Sequence, residues 1–189
     1  TDVDLALGGA ARAIDEAMSE LTLALWLAAA LVYMVMAVQY ESLLYPLIIM
    51  FTMPLAAIGA IALLAVAGES ISVTAIIGLI VLAGVVVNNG IVMVDFINQL
   101  KATGMKTPEA VRKASLARLR PILMTALTTI LGLVPLAIGR GAGSELERPL
   151  ALTVIGGLTT ATFLTLFVIP IIYELMDEAG HRLSHRGVH

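Results

Sequence analysis

Residues 71–97 read ISVTAIIGLIVLAGVVVNNGIVMVDFI, a mostly apolar run interrupted near its middle by Asn88 and Asn89. A helix needs about 20 apolar residues to cross the hydrocarbon core of a bilayer, and this run is long enough. Polar side chains at that depth have no water to bond and are usually kept for function. The asparagine pair is therefore the first candidate site in the chain.

The rest of the chain has the same apolar character. Of its 189 residues, 59% are hydrophobic and only 13% are charged. The mean hydropathy is +0.98. Soluble domains carry about 25% charged residues, so the composition indicates a membrane protein whose first partner is the lipid bilayer.

Several function classes are disfavoured by the same composition. The net charge is −3 and no basic face is available, so no nucleic-acid partner is expected. The chain has no cysteine, which excludes disulfides and thiolate chemistry. No nucleophile–base pair or cluster of metal ligands appears in the spans, so we expect neither an enzyme nor a cofactor or metal site.

Five apolar blocks are long enough to cross a membrane. None alternates as a barrel strand does, so the predicted class is an all-α membrane protein with five transmembrane helices. The predicted spans are Leu21–Val38, Leu43–Ala67, Ile71–Ile97, Pro121–Ile138 and Leu150–Met176.

The segments outside the spans complete the predicted organisation. Residues 1–20 predict an extracytoplasmic lead-in helix, residues 21–177 the five-helix domain, and residues 178–189 a cytoplasmic tail. Within the long connection 98–120, Thr107-Pro108-Glu109 has the residue types of a helix start. Apolar and basic residues then alternate, which predicts a short amphipathic helix on the cytoplasmic membrane surface. Because the chain begins with Thr1, we expect it to be part of a longer protein.

Lysine and arginine counts predict the orientation. The connection between the third and fourth spans holds six of them, and the tail adds Arg182 and Arg186. The opposite side holds only Arg12, Arg140 and Arg148. By the positive-inside rule, the N-terminus is predicted outside and the C-terminus in the cytoplasm.

Helical spacing groups the polar and small residues of the spans. Gly84, Asn88 and Asp95 share one face of the third span. A similar stripe follows the fourth span, and we expect the two stripes to pack against each other. The fifth span carries a third stripe, for which helix packing is the preferred interpretation. The stripes of the fourth and fifth spans are Thr125, Thr128, Thr129 and Gly132, and Thr153, Gly156, Gly157 and Thr160.

For Asn88 and Asn89, spacing alone favours a structural and a functional role equally. Two adjacent amides cannot both face one partner helix, which argues for function, whereas one amide–threonine contact would only hold helices together. Neither amide titrates, so neither can carry a proton. In the tail, His181, His185 and His189 recur at helical spacing; we expect a solvated terminus there rather than a metal site.

Three motifs carry a family resemblance. Tyr40-Glu41-Ser42-Leu43 follows the first span, and the run from Gly84 to Phe96 fills the third. The most specific motif is Arg118-Leu119-Arg120-Pro121-Ile122-Leu123-Met124-Thr125, which opens the fourth. Together they resemble the C-terminal membrane block of resistance-nodulation-division (RND) permeases of the hydrophobe/amphiphile efflux, AcrB-like type.

The resemblance implies the last five spans of a twelve-span, trimeric, proton-driven pump in the bacterial inner membrane. Such a pump exports drugs or other amphiphiles, and its partners include a periplasmic adaptor and an outer-membrane channel. The half that precedes these spans carries the porter domain and the intramembrane aspartates. Asn88 matches a lysine that pairs with those aspartates, Thr125 a threonine of the same proton relay, and Arg118 an arginine near its cytoplasmic end.

Asn88 departs from the AcrB-like pattern, because an amide cannot supply the positive charge of a lysine. The aspartates would then need another neutralising partner or would hold a proton more tightly. Asn89, Asp95 and Thr129 are further polar candidates inside the spans. Two other functions stay open: a non-transporting scaffold or assembly subunit, and an RND transporter for a different cargo such as metal ions or lipids.

Overall fold

A computed structural model gives the architecture. It describes the backbone of residues 2–139, 141 and 143–186, and the side chains of residues 12–139, 141 and 143–175. Within these ranges the chain forms helices and turns but no strand, which confirms the all-α class. The helices are α1 (Asp2–Tyr40), α2 (Leu44–Ala67), α3 (Val73–Ala102), α4 (Thr107–Ile138) and α5 (Ser144–Arg186).

Each of the five helices holds a segment long and apolar enough to cross a bilayer, so the five predicted spans are confirmed. Local chemistry sets the ends of two of them. Gly68 ends α2 with a left-handed backbone (φ +73°), a conformation that favours glycine. Ser72 caps α3, because its side chain accepts a hydrogen bond from the amide of Ala75 at 3.3 Å.

The predicted amphipathic surface helix is not a separate element. The segment from Thr107 continues through Pro121 into the fourth span as one helix, α4. Its apolar side, Ala110, Val111 and Ala114, is buried in a core cluster with Ile97 and Tyr173. The segment therefore packs on α3 and α5, because neighbouring helices offer its apolar stripe a better-packed surface than the membrane interface. Likewise, the predicted lead-in helix is the continuous first part of α1.

Helix α5 is the centre of the bundle. Among the described residues it contacts α2, α3 and α4, whereas α1 packs only on α2 and α3. Glycines allow the close approach. A Cβ on Gly156 would lie 2.6 Å from the Cβ of Leu63 and 2.7 Å from the carbonyl oxygen of Gly59. This packing confirms the structural interpretation of the small-residue stripe on the fifth span.

Three of the four tyrosines gather at the end of the bundle that is predicted to be cytoplasmic. The rings of Tyr45 and Tyr173 stack with centroids 5.4 Å apart. The ring of Tyr40 meets that of Tyr45 edge-on at 6.1 Å. The hydroxyl of Tyr173 donates to the side-chain oxygen of Asn98 at 2.5 Å, and that of Tyr40 donates to the carbonyl of Ile91 at 2.9 Å. This cluster joins α1, α2, α3 and α5.

We expect Tyr173→Phe to lower the free energy of unfolding by about 1–3 kcal/mol, because the substitution leaves the Asn98 oxygen half-buried without its donor. The ring and its stacking on Tyr45 stay in place. Thermal unfolding in detergent measures the loss. The double variant Tyr173→Phe/Asn98→Leu is the control: it removes both partners and is expected to recover part of the stability. Equal stability of Tyr173→Phe and the parent chain would contradict the role of this bond.

An ion pair closes the opposite end of the bundle. Arg148 at the start of α5 lies 3.0 Å from the carboxylate of Glu69, which follows α2. Both side chains are partly exposed, so the pair contributes about 0–1 kcal/mol.

Candidate functional site

One face of α3 is buried against the other helices, and the opposite face is exposed. Its buried residues include Leu82, Val86 and Met93. The exposed residues recur at helical spacing along the other side, and they include most of the polar residues that the sequence singled out. The exposed set is Ile77, Val81, Gly84, Asn88, Asp95, Gln99 and Ala102. The structure therefore places Asn88 and Asp95 on one face, as their spacing predicts.

The two asparagines are not held by the surrounding helices as packing residues would be. Asn88 is exposed and Asn89 is half-buried beside it. In the described part of the chain, neither amide makes a hydrogen bond. Asp95, about two helical turns further on, accepts a hydrogen bond from the side-chain amide of Gln99 at 2.7 Å. The amides of Asn88 and Asn89 are thus available to groups outside these five helices.

The predicted interlocking of the third- and fourth-span stripes is wrong. In the described part of the chain, a Cβ added to Gly84 or Gly132 would meet no atom within 4 Å, so none of the described helices packs closely on either glycine. Thr125 and Thr128 are exposed. The physical reason lies in the two apolar faces. Helix α4 buries Ile122 and Ala126, and α3 buries its own apolar side, which leaves both polar stripes at the surface.

The threonine hydroxyls bond within their own helix instead. Thr125 donates to the carbonyl of Pro121 at 3.1 Å or to that of Ile122 at 3.0 Å. Thr129 donates to the carbonyl of Thr125 at 2.8 Å. A hydroxyl has one hydrogen and two lone pairs, so each oxygen can still accept a hydrogen bond from elsewhere.

The contact between Phe96 and Arg118 fixes the relative depth of the two stripes. The carbon of the Arg118 guanidinium lies 4.9 Å from the centre of the Phe96 ring. Only 103–106 connect α3 to α4, so the two helices run antiparallel. From this contact, Asn88 lies about 12 Å back along α3 and Thr125 about 10.5 Å forward along α4. The two residues are therefore at nearly the same depth.

Asn88 and Thr125 are therefore exposed residues of adjacent helices at a similar depth, and Arg118 lies nearer the predicted cytoplasmic end of α4. We call these residues, with Asp95 and Thr129, the open polar face. Sequence reasoning missed the Phe96 contact, although the phenylalanine stood inside a quoted motif. It also missed the tyrosine cluster. Aromatic residues are only 5% of the chain, and this scarcity was the one feature of the sequence that drew attention to them.

No metal centre competes with this face in the described residues, where no three His, Asp or Glu side chains gather around one point. The tail histidines His181, His185 and His189 lie outside the residues whose side chains the structure describes.

Comparisons with known proteins give the chain a family. A family model described as the AcrB/AcrD/AcrF family matches residues 1–177. The swarming motility protein SwrC of Bacillus subtilis is 43% identical over 94% of this chain, and the multidrug resistance protein MdtC of Erwinia tasmaniensis is 45% identical over 84%. A crystal structure of a heavy metal efflux pump superposes with a TM-score of 0.78 and 36% identity over 87% of the chain.

These relatives are much longer than the chain. It spans 17% of SwrC, 16% of MdtC and 16% of the heavy metal efflux pump. The match includes the helices that carry Asn88, Thr125 and Arg118, and it runs through all five spans. The chain belongs to the AcrB/AcrD/AcrF family of the RND superfamily and forms a five-helix, membrane-spanning part of it.

Proposed function

We propose that the chain is the C-terminal part of the membrane domain of a proton-driven transporter that exports drugs or other amphiphiles across the bacterial inner membrane. The observation that carries the proposal is the open polar face. It places Asn88 and Thr125 at one depth inside the spans, with amide and hydroxyl groups still able to bond. Membership of the family supports the same function, and one relative is named a multidrug resistance protein.

In this proposal, the open polar face meets the acidic residues of the other half of the membrane domain. Asn88 donates hydrogen bonds to an ionised carboxylate and orients it. Thr125 accepts a hydrogen bond from the protonated carboxyl, because its own hydrogen already points to a backbone carbonyl. Asn89, Asp95 and Thr129 extend the polar path, and Arg118 lies at its cytoplasmic exit. The protons are carried by the acids and not by this chain's amides.

The proposed assembly follows the family resemblance. The N-terminus lies outside and the C-terminus in the cytoplasm, in agreement with the lysine and arginine counts. The partners are the other half of the permease, two further copies in a homotrimer, a periplasmic adaptor and an outer-membrane channel.

A flux measurement tests the proton-driven function. A complete transporter containing residues 1–177 is reconstituted in liposomes with an imposed pH gradient. We expect transport of an amphiphilic cationic dye, accompanied by counter-flow of protons, and we expect both to stop when an ionophore collapses the gradient.

The alternatives give different results in the same assay. A scaffold would move neither dye nor protons. A transporter for metal ions would move Zn²⁺ against protons and leave the dye in place. Dye transport that persists without a proton gradient would contradict proton coupling.

A further inference from the structure

Arg118 is held by an aromatic ring rather than by an acid. Its guanidinium lies over the face of Phe96 at 4.9 Å. In the described residues it forms no ion pair, although Asp95 directly precedes that ring in the sequence. The Asp95 carboxylate is bonded by Gln99 instead.

The guanidinium has a second unusual feature. Its Nε is buried and, among the described residues, has no hydrogen-bond partner. A charged group that loses water without gaining a partner is destabilised, and arginine does not lose its proton to relieve this. The electron-rich face of a phenyl ring attracts a cation, and the attraction is larger where water is excluded. The ring is therefore the group that stabilises the charge of Arg118.

We propose that Phe96 is a positioning residue that holds the charged guanidinium of Arg118 at the cytoplasmic end of the open polar face. A carboxylate in the same place would cancel the charge, whereas a ring attracts the cation and leaves its positive field intact. This inference rests on the proposed function, since it assigns to Phe96 a role in the same proton path.

The position of Arg118 relative to Thr125 and Asn88 follows from this contact. Arg118 lies about two helical turns from Thr125 along α4, and the Phe96 contact ties that position to α3, which carries Asn88. Arg118 is half-buried, and the field of a partly buried charge is screened less by salt than that of an exposed charge. Arg120 is nearer to Thr125 along α4 but is exposed, whereas Arg118 is half-buried and is the arginine that the Phe96 ring holds. Its placement over the ring then fixes the distance at which its field acts.

Fluorinated phenylalanines at position 96 provide the test. Adding one, two and three fluorines to the ring nearly preserves its shape and progressively weakens its attraction for a cation. In the complete transporter, we expect the proton-coupled transport rate to fall stepwise with each fluorine. With three fluorines the loss should be roughly three- to thirtyfold, and Phe96→Leu should lose as much. A flat series at position 96 would overturn the positioning role, because apolar bulk alone would then be sufficient.

Phe167 is the matched control. It is an exposed phenylalanine of α5, and in the described residues no lysine or arginine lies over its ring. The same fluorine series there should leave the transport rate unchanged. An equal decline at both positions would also overturn the inference, since it would reflect a general effect of fluorine.

A stability measurement separates the contact from the transport activity. Phe96→Leu should lower the melting temperature in detergent, and the loss should largely disappear in the Arg118→Met background, where no cation is left to hold. Equal losses in both backgrounds would overturn the contact itself. If the parent transporter moves no protons while the coupling between Phe96 and Arg118 is present, the proposed function fails and the positioning role falls with it.

Discussion

Gly156→Ala is expected to destabilise the bundle by about 2 kcal/mol or more, although alanine is ordinarily the better helix former. The added methyl group would lie 2.6 Å from the Cβ of Leu63, 2.7 Å from the carbonyl oxygen of Gly59 and 3.3 Å from the Cα of Ala60. These are backbone and Cβ atoms, which cannot rotate away. Relief therefore requires α2 and α5 to separate, which loosens their packing.

Two other glycines make the comparison quantitative. In Gly157→Ala the new methyl meets the end of the Leu82 side chain, which can change rotamer, so the loss should be smaller. In Gly132→Ala it meets nothing within 4 Å, and the higher helix propensity should leave stability unchanged or raise it by up to about 1 kcal/mol. Thermal unfolding of the three purified variants in one detergent gives the ranking. A Gly156→Ala melting temperature equal to that of Gly132→Ala would contradict the close approach of α2 and α5.

Asn88→Leu is expected to lower proton-coupled transport by roughly ten- to hundredfold, because a hydrogen bond to a charged group is worth about 1.5–3 kcal/mol. Leucine fills the volume of asparagine, so folding in the membrane should be retained or improved. Asn88→Gln keeps an amide on a longer side chain and should retain part of the rate. The measurement is proton-coupled dye flux in liposomes, normalised to the amount of folded protein.

Val81→Leu is the control for this series. Val81 is exposed on the same face of α3 but has no polar group, so enlarging it changes the surface without removing an amide. Transport should be preserved. Undiminished export by Asn88→Leu would sink the proposed role of the asparagine, and a similar loss in both variants would show that the face tolerates no change of shape.

Much of the fold is predictable because it depends on local hydropathy. Five apolar blocks separated by polar connections become five helices. The predicted ends of the second span agree with the ends of α2 to within one residue. The face shared by Asn88 and Asp95 is predictable for the same reason, since it depends only on helical period. The packing stripe of the fifth span is also recognisable from its small residues.

The remaining features depend on tertiary partners that the sequence does not reveal. The prediction that the third- and fourth-span stripes interlock was wrong, because spacing identifies a face without naming the helix that covers it. An amphipathic segment such as the one after Thr107 has the same sequence pattern whether it lies on a membrane or on other helices. Here its apolar side is buried against α3 and α5, which the pattern alone does not predict. The bond from Tyr173 to Asn98 joins residues 75 positions apart, and the contact of Arg118 with Phe96 depends equally on the packing of α3 and α4.

The glycine contacts between α2 and α5 have a mechanical consequence. At Gly156 the backbone of α5 lies against the backbone of α2, and no change of rotamer can relieve that contact. Gly78 of α3 makes a similar approach to α5, where a Cβ would lie 3.0 Å from the carbonyl oxygen of Leu150. Within these five helices, the spans of α1 and α4 are less buried, at 6% and 11%. We therefore expect α2, α3 and α5 to be displaced together, as one unit, when the protein changes conformation.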